Sequence, residues 1–470
     1  MERPIKHAWQ LKAARLESGV NRMKMYTDEL VDWHAIGVDH DVVDQLRNRR
    51  DLPEGWQGMS EYKRALLHLF DEACSQDYEY PEGLYKGQGI VTCASAKSGH
   101  SSGKDLKHGY FPGAWSMLKE VRRLGCNLPV TFAYLGFEEF APNLMHLIEP
   151  HNATSLDLRW LDWFTNPMRI LAGWESKIAA IMACPYEEVL FMDADNIPVS
   201  APDYLFTQPA YLEHGAMFWG DLGPSTKHEW LPKEVWDAIG VAKPDNYLDF
   251  ESGQLLINKR KCWKALNVCR HINEYSDYYY KIVFGDKSTF FLAWHKLGQS
   301  YAIPRRPGWG GKAIFQYDMD GDLMFQHACQ DKPTLNGYGH HGFFVNERHV
   351  HGHVAELAEM WDGHMWHWTD TFDEDVMEFH AGKYHYERLG MDDRPLELKP
   401  DGTVGEGSAW LEDQWRIHES PDHGACLVLY AVDKMPSAVL ARHDGQWWGQ
   451  WLHFEKCRIR MEKLNADQTV

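Results

Sequence analysis

From Gly87 to Pro198 one pattern repeats: a short apolar run closed by small or charged residues, then a longer run with helical spacing. "GQGIVTCAS" (87–95) reads as a buried strand, "GAWSMLKEVRRLG" (113–125) as a helix stopped by glycine, and "LPVTFAYL" (128–135) as a strand. "WESKIAAIMAC" (174–184) is again helical and "EEVLFMD" (187–193) again a strand. Strand–helix alternation of this kind confines the chain to an α/β fold, in which crossover helices cover a largely parallel sheet.

The alternation then loosens. "GAMFWGD" (215–221) and "SGQLLINK" (252–259) read as strands, "KCWKALNVCRHINEYSDYYY" (261–280) as one helix, and "STFFLAWHKLG" (288–298) as a helix capped by Ser288. Residues 1–80 form a helical N-terminal region, in which Ser60 caps "SEYKRALLHLFDEACSQ" and Leu66, Leu67, Leu69 and Phe70 supply its apolar face. Residues 81–345 make the α/β core, and residues 346–392 a His- and Trp-rich connecting segment without clear period. From residue 393 to 470 short alternating runs separated by Asp-Gly turns at 401–402 and 444–445 predict a small all-β module.

Composition narrows the function. A net charge of −20 over 470 residues opposes non-specific binding to nucleic acid or to an anionic membrane. The nine cysteines stand singly with no CxxC pair, which suits reduced thiols. The charged, helically patterned first 20 residues lack a signal-peptide core, and no run of 18 apolar residues occurs. A cytoplasmic setting without a membrane span is the expectation.

The strand "EEVLFMD" ends in Asp193-Ala194-Asp195. In a parallel α/β sheet ligands bind beyond the carboxyl ends of the strands. Carboxylates two apart in an extended stretch point the same way, roughly 6–7 Å apart. They repel unless a cation lies between them, and a hard divalent ion such as Mn²⁺ or Mg²⁺ suits their oxygens. The plainer alternative is a solvated turn that closes the strand.

Further motifs follow in order: Trp174 to Lys177, "DADN" (193–196), "GAMFW" (215–219), "ESGQ" (251–254), "GDKSTF" (285–290) and "QYDMDGDLMFQH" (316–327). This order, over residues 83 to 332, resembles the fungal α-mannosyltransferases of the Golgi alpha-1,3 type, which are GT-A-fold glycosyltransferases. The resemblance implies a Rossmann-like, nucleotide-diphospho-sugar transferase core. It implies that Asp193 and Asp195 hold the metal and the donor, with His327 as third metal ligand. Lys177 and Lys287 join the donor-binding residues. Lys332 matches the diphosphate-contacting lysine of glycogenin-like enzymes, with a spacing from His327 one residue short and Gln330 where those enzymes carry glycine. The N-terminal anchor of the fungal enzymes is not expected here, and the C-terminal module is similar to those appended to bacterial transferases.

The implied reaction moves a sugar, mannose, glucose or similar, from a GDP- or UDP-linked donor to a hydroxyl of a glycan, a peptide or another acceptor, with retention. Gln254 or Asp286 then supports the cationic sugar, and Glu251 is the candidate for a covalent route. Two alternatives stay open: a phage-type transferase acting on modified DNA bases, or a degenerate fold that only binds glycans. The histidines between His340 and His367 suggest a loop near the acceptor rather than a zinc site, since no cysteine or carboxylate pattern accompanies them. The Trp-rich "GQWWGQWL" reads as a β-core stripe before a sugar platform.

Overall fold

The computed structural model describes residues 37–464 apart from internal stretches, the longest of them 159–172, 222–230, 336–344 and 361–373. The helical pattern of the first 20 residues and His340, His341, His364 and His367 lie outside the described residues. The chain divides into two compact units, one within residues 11–140 and 148–360 and a smaller one built mainly of residues 361–470.

The larger unit carries the expected alternation. After α1 (Ser60–Ser75) come β1 (Gln88–Cys93), α2 (Phe111–Arg123), β2 (Val130–Tyr134), β3 (Ala153–Asp157), α3 (Ser176–Ala183) and β4 (Glu188–Met192). Next are β5 (Asn196–Pro198), β6 (Ala216–Gly220), β7 (Phe250–Asn258), α4 (Lys259–Glu274) and α5 (Lys287–Leu297). Then follow β8 (Ile314–Tyr317), β9 (Leu323–His327) and α6 (Glu347–Met360). The main sheet has the order β3-β2-β1-β4-β7-β6. β3, β2, β1 and β4 run parallel, while β7 is antiparallel to both β4 and β6. Val189, Leu190, Phe191 and Met192 are all fully buried, as a central strand covered on both faces requires.

A second, antiparallel sheet places β8, β9 and β5 side by side. Its ladder sets His327 of β9 opposite Asn196 of β5. This pairing brings a histidine from late in the chain to the turn that leaves β4.

Some expectations shift at element ends. Ser60 is the first residue of α1 and Met59 holds the cap position, without a side-chain cap bond. Ser288 lies inside α5 and turns its hydroxyl to Asp249 at 3.0 Å, so Asp286 takes the cap position. The long helix after β7 breaks at Tyr275, and residues 276–279 form a separate short helix. β3 has no counterpart in the sequence reading: its alternating burial and polar Thr154 and Ser155 give a weak strand signal. Lys259 is fully buried at the start of α4. Its Nζ bonds the carbonyls of Met182 and Cys184 at 3.2 and 2.6 Å and lies 3.7 Å from the Tyr85 ring centroid, which satisfies the charge and caps α3.

The smaller unit is a seven-stranded antiparallel sheet. Its strands are β10 (Gly382–Arg388), β11 (Asp392–Leu398), β12 (Gln414–Ser420), β13 (Gly424–Tyr430), β14 (Pro436–His443), β15 (Gln446–Trp451) and β16 (Arg458–Lys463). They lie in the order β11-β10-β16-β15-β14-β13-β12. Trp415, Trp447 and Trp451 pack with Tyr384, Tyr386, Leu427 and Leu440 in its core. The Trp-rich stretch is thus mainly core, with Trp448 half-buried under the Arg460 guanidinium. Among the described residues no helix is long and apolar enough to cross a membrane. The described cysteines are free thiols.

Candidate functional site

β4 stops at Met192 because its neighbours change there. The Asp193 amide bonds the Gly253 carbonyl at 2.9 Å, and the Asn196 side-chain nitrogen bonds the same carbonyl at 2.7 Å and Gln254 Oε1 at 2.5 Å. The Ala328 amide donates to the Asp195 carbonyl at 2.8 Å. The "DADN" turn is therefore held by β7 on one side and by the end of β9 on the other. Gly113 lets the start of α2 press onto it, since a Cβ there would lie 2.7 Å from the Ala194 oxygen.

On this frame the ligand atoms of Asp193, Asp195 and His327 all lie within 4.8 Å of one another. His327 Nε2 is 3.2 Å from Asp195 Oδ1 and 3.8 Å from Asp193 Oδ2. Its other nitrogen, Nδ1, is 3.0 Å from Glu251 Oε1, which also accepts from the Gly253 amide at 2.8 Å. Among the described residues this is the one cluster of metal-ligating side chains.

Two lysines enter the same cluster. Lys177, buried on α3, donates to the Ser252 carbonyl and hydroxyl at 2.9 Å each, and lies 3.2 Å from Asp193 and 3.0 Å from Asp286. Lys332 pairs with Asp195 and lies 5.2 Å from the Tyr110 ring centroid. Beside them Lys287 pairs with Asp221 and stands 3.9 Å from Asp249.

Charge and burial set the protonation of these groups. Burial pushes the Asp193 carboxyl up against the pull of Lys177 and His327. Burial opposes ionisation of Asp195 too, but Lys332 and His327 outweigh it and hold the carboxyl below its usual range. Glu251 is raised by burial and brought down to about 2 by the His327 hydrogen bond and charge. Burial would lower His327, yet Asp195 and Glu251 keep it well above its usual value. Asp249 is pushed up to about 6 by burial, against Lys287 and Ser288.

Of the residues singled out in the sequence, Asp193, Asp195, His327, Glu251, Lys177, Asp286 and Lys332 gather in one place. Lys287 sits in the neighbouring group with Asp221 and Asp249. Gln254 is fully buried behind the turn, its Oε1 on Asn196 and its Nε2 without a protein partner. Sequence reasoning missed Asp221, Asp249 and the structural role of Gly253. Asp221 carried a usable signal, being a carboxylate at the end of a strand, like Asp193. The donor set of one imidazole and two carboxylates fits a divalent cation of the Mn²⁺ type, and its tight grouping of like charges is what such an ion would stabilise.

Residues 87–240 and 241–311, just under half of the chain, match the family described as "Mannosyltransferase putative". An alpha-1,2-mannosyltransferase of Candida albicans, MNN21, is 27% identical to the chain over 280 residues, covering 47% of the chain and 39% of that protein. The alpha-1,2-mannosyltransferase MNN2 of Saccharomyces cerevisiae is 26% identical over 296 residues, covering 53% and 46%. The chain thus spans less than half the length of either of these relatives. Both are named for alpha-1,2 linkages, where the motif order had pointed to the alpha-1,3 type. Among solved structures, the galactosyltransferase LgtC aligns with 46% of the chain and 73% of its own at 13% identity and a TM-score of 0.33. The "DADN" turn, "ESGQ" and "GDKSTF" all fall inside the matched residues, whereas His327 and Lys332 lie just beyond the last of them.

Proposed function

We propose that the chain is a metal-dependent hexosyltransferase. It moves a mannosyl or closely related residue from a nucleotide-diphospho sugar to a hydroxyl of a glycan or similar acceptor. The observation that carries this reading is the Asp193–Asp195–His327 grouping at the carboxyl end of β4, within 4.8 Å and flanked by Lys177 and Lys332. The matched family favours mannose, and with it a GDP-linked donor, over UDP-linked sugars.

Asp193, Asp195 and His327 would hold Mn²⁺ or Mg²⁺, which when bound neutralises the charge of a departing diphosphate. Lys332 and Lys177 supply positive charge at the same place, and positively charged donors aimed where negative charge develops lower the barrier. Asp286, held by Lys177 and Ser252, would support the donor sugar, and Lys287 with Asp221 and Asp249 forms a neighbouring charged group. Gln254 works from behind, holding Asn196 and through it the turn.

The carboxylates of the cluster all bear on cations or donors: Asp193 on Lys177, Asp195 on Lys332, Asp286 on Lys177 and Ser252, Glu251 on His327. Asp195 and Glu251, held below the usual carboxylate range, are weak bases and weak nucleophiles, and Asp193 and Asp286 are tied up by Lys177. This favours a same-face displacement. The bond from anomeric carbon to diphosphate oxygen breaks and the acceptor oxygen bonds the carbon. The acceptor proton passes to the leaving diphosphate oxygen, and α configuration is retained.

A screen of the purified protein with Mn²⁺ against GDP- and UDP-sugars, read as release of nucleotide diphosphate, tests the reading. We expect GDP-mannose to be the best donor, with release abolished by EDTA and restored by Mn²⁺. Release from no donor, or release indifferent to EDTA, would contradict it.

A further inference from the structure

Glu251 differs in kind from the carboxylates around it, because its Oε1 turns toward a histidine and a backbone amide. The geometry is a built seat. Oε1 accepts from the Gly253 amide at 2.8 Å and lies 3.0 Å from His327 Nδ1. The imidazole lies against Gly253, where a Cβ would come within 2.5 Å of Nδ1 and 2.8 Å of the Glu251 oxygen. The β-ladder opposite Asn196 fixes the His327 backbone. Carboxylate, glycine and ladder together leave the ring one orientation.

An ionised carboxylate only accepts, so the proton between the two groups belongs to Nδ1. The other nitrogen, Nε2, faces Asp195 Oδ1 at 3.2 Å and Asp193 Oδ2 at 3.8 Å, where a divalent cation would take the place of the proton it holds toward Asp195.

We infer that Glu251 is a positioning residue that fixes the tautomer and aim of His327, so that Nε2 completes a divalent-cation site with Asp193 and Asp195. The inference rests on the function proposed above and assigns Glu251 no covalent role. A partner on the second nitrogen of a ligating histidine orients the ring and raises its basicity.

A titration of the full chain with Mn²⁺ alone, followed by the electron spin resonance of free Mn²⁺, reads this without donor or turnover. E251A should weaken Mn²⁺ binding about 10–100-fold. E251Q keeps an oxygen that accepts from Nδ1, so it should stay within about threefold of the wild type and still hydrolyse donor. In an H327A background, E251A should change Mn²⁺ affinity no further, because the two residues act as a unit. Nitrogen-15 resonances of the wild-type histidines, with Zn²⁺ as a diamagnetic substitute, read the tautomer without any variant and should show His327 protonated at Nδ1. Wild-type affinity in E251A, an additive loss in the double variant, or a proton on Nε2 would each overturn the inference. An E251Q protein that binds Mn²⁺ normally but never turns over would return Glu251 to a covalent role. A wild-type chain that releases diphosphate yet binds no Mn²⁺ fails at the parent reading, and that control separates the two failures.

Discussion

Asp193 and Asp195 were legible as a candidate site only together with the motifs that follow them, because a carboxylate pair at a strand end can equally be a solvated turn. His327 was not legible from spacing, since only the ladder between β9 and β5 carries it to the turn. Gln254 was read as a cleft residue, but nothing in an alternating strand says which of its ends the next sheet closes over; here Asn196 covers it. At this scale D193A, D195A and H327A should each keep the wild-type melting temperature and lose roughly two to three orders of magnitude in kcat. That loss matches the removal of about 3–4 kcal/mol of charge stabilisation. Steady-state kinetics beside thermal melts check it, and a normal rate in D195A would contradict it. G253A should be worse than its size suggests. Its Cβ meets both His327 and Glu251, so we expect a loss of about 1–3 kcal/mol in stability together with weakened Mn²⁺ binding. Urea unfolding and metal titration measure the two separately.

Between elements, the strand–helix alternation announced β1, α2, β2, α3 and β4 because parallel strands buried on both faces are apolar throughout. β3 escaped because two of its three buried positions are the polar Ser155 and Asp157, so no apolar alternation marks it as a strand. Long-range side-chain ties were equally invisible. Glu120, buried on α2, accepts from Arg123 at 2.6 Å and from Asn346 at 2.7 Å, and lies 3.2 Å from His353 Nε2. It thereby ties α6 to α2, and Asn346 in turn accepts from Gln326 at 2.6 Å, one residue before His327. Burial alone would raise Glu120, yet the bonds from His353, Arg123 and Asn346 outweigh it and bring the carboxyl down to about 2, from an ordinary 4.5. A depressed carboxyl adds stability above its unfolded value, and that stability is lost as pH falls through its folded value. The stability difference between wild type and E120Q should therefore be full above pH 4.5 and shrink as pH falls toward about 2. Urea unfolding across that range tests it, and a difference independent of pH would contradict it.

At the scale of the molecule, the antiparallel texture of the C-terminal module, residues 393–470, was plain from its Asp-Gly turns and short strands. The starting point of its sheet was not, because β10 reads as part of a His-rich stretch until its pairing with β16 is seen. A cut near residue 390 would strand β10 without its partners, so the natural place to divide the chain is before Gly382. We propose that a chain ending at Met360 still folds and releases diphosphate from donor, and that its insolubility would refute an independent catalytic unit. The net charge of −20 makes the lysines of the candidate site more telling. Lys177 and Lys332 sit beside Asp193 and Asp195, and Lys287 beside Asp221, the positive charge that the proposed diphosphate donor would need. That whole arrangement stands or falls with the divalent ion proposed for Asp193, Asp195 and His327. The most direct measurement is pulsed electron spin resonance of the protein with one equivalent of Mn²⁺, taken with the rate of diphosphate release. Our account predicts a nitrogen-14 coupling from a bound imidazole that disappears in H327A, with release that EDTA abolishes. Bound Mn²⁺ without that coupling, together with release that EDTA leaves untouched, would contradict it.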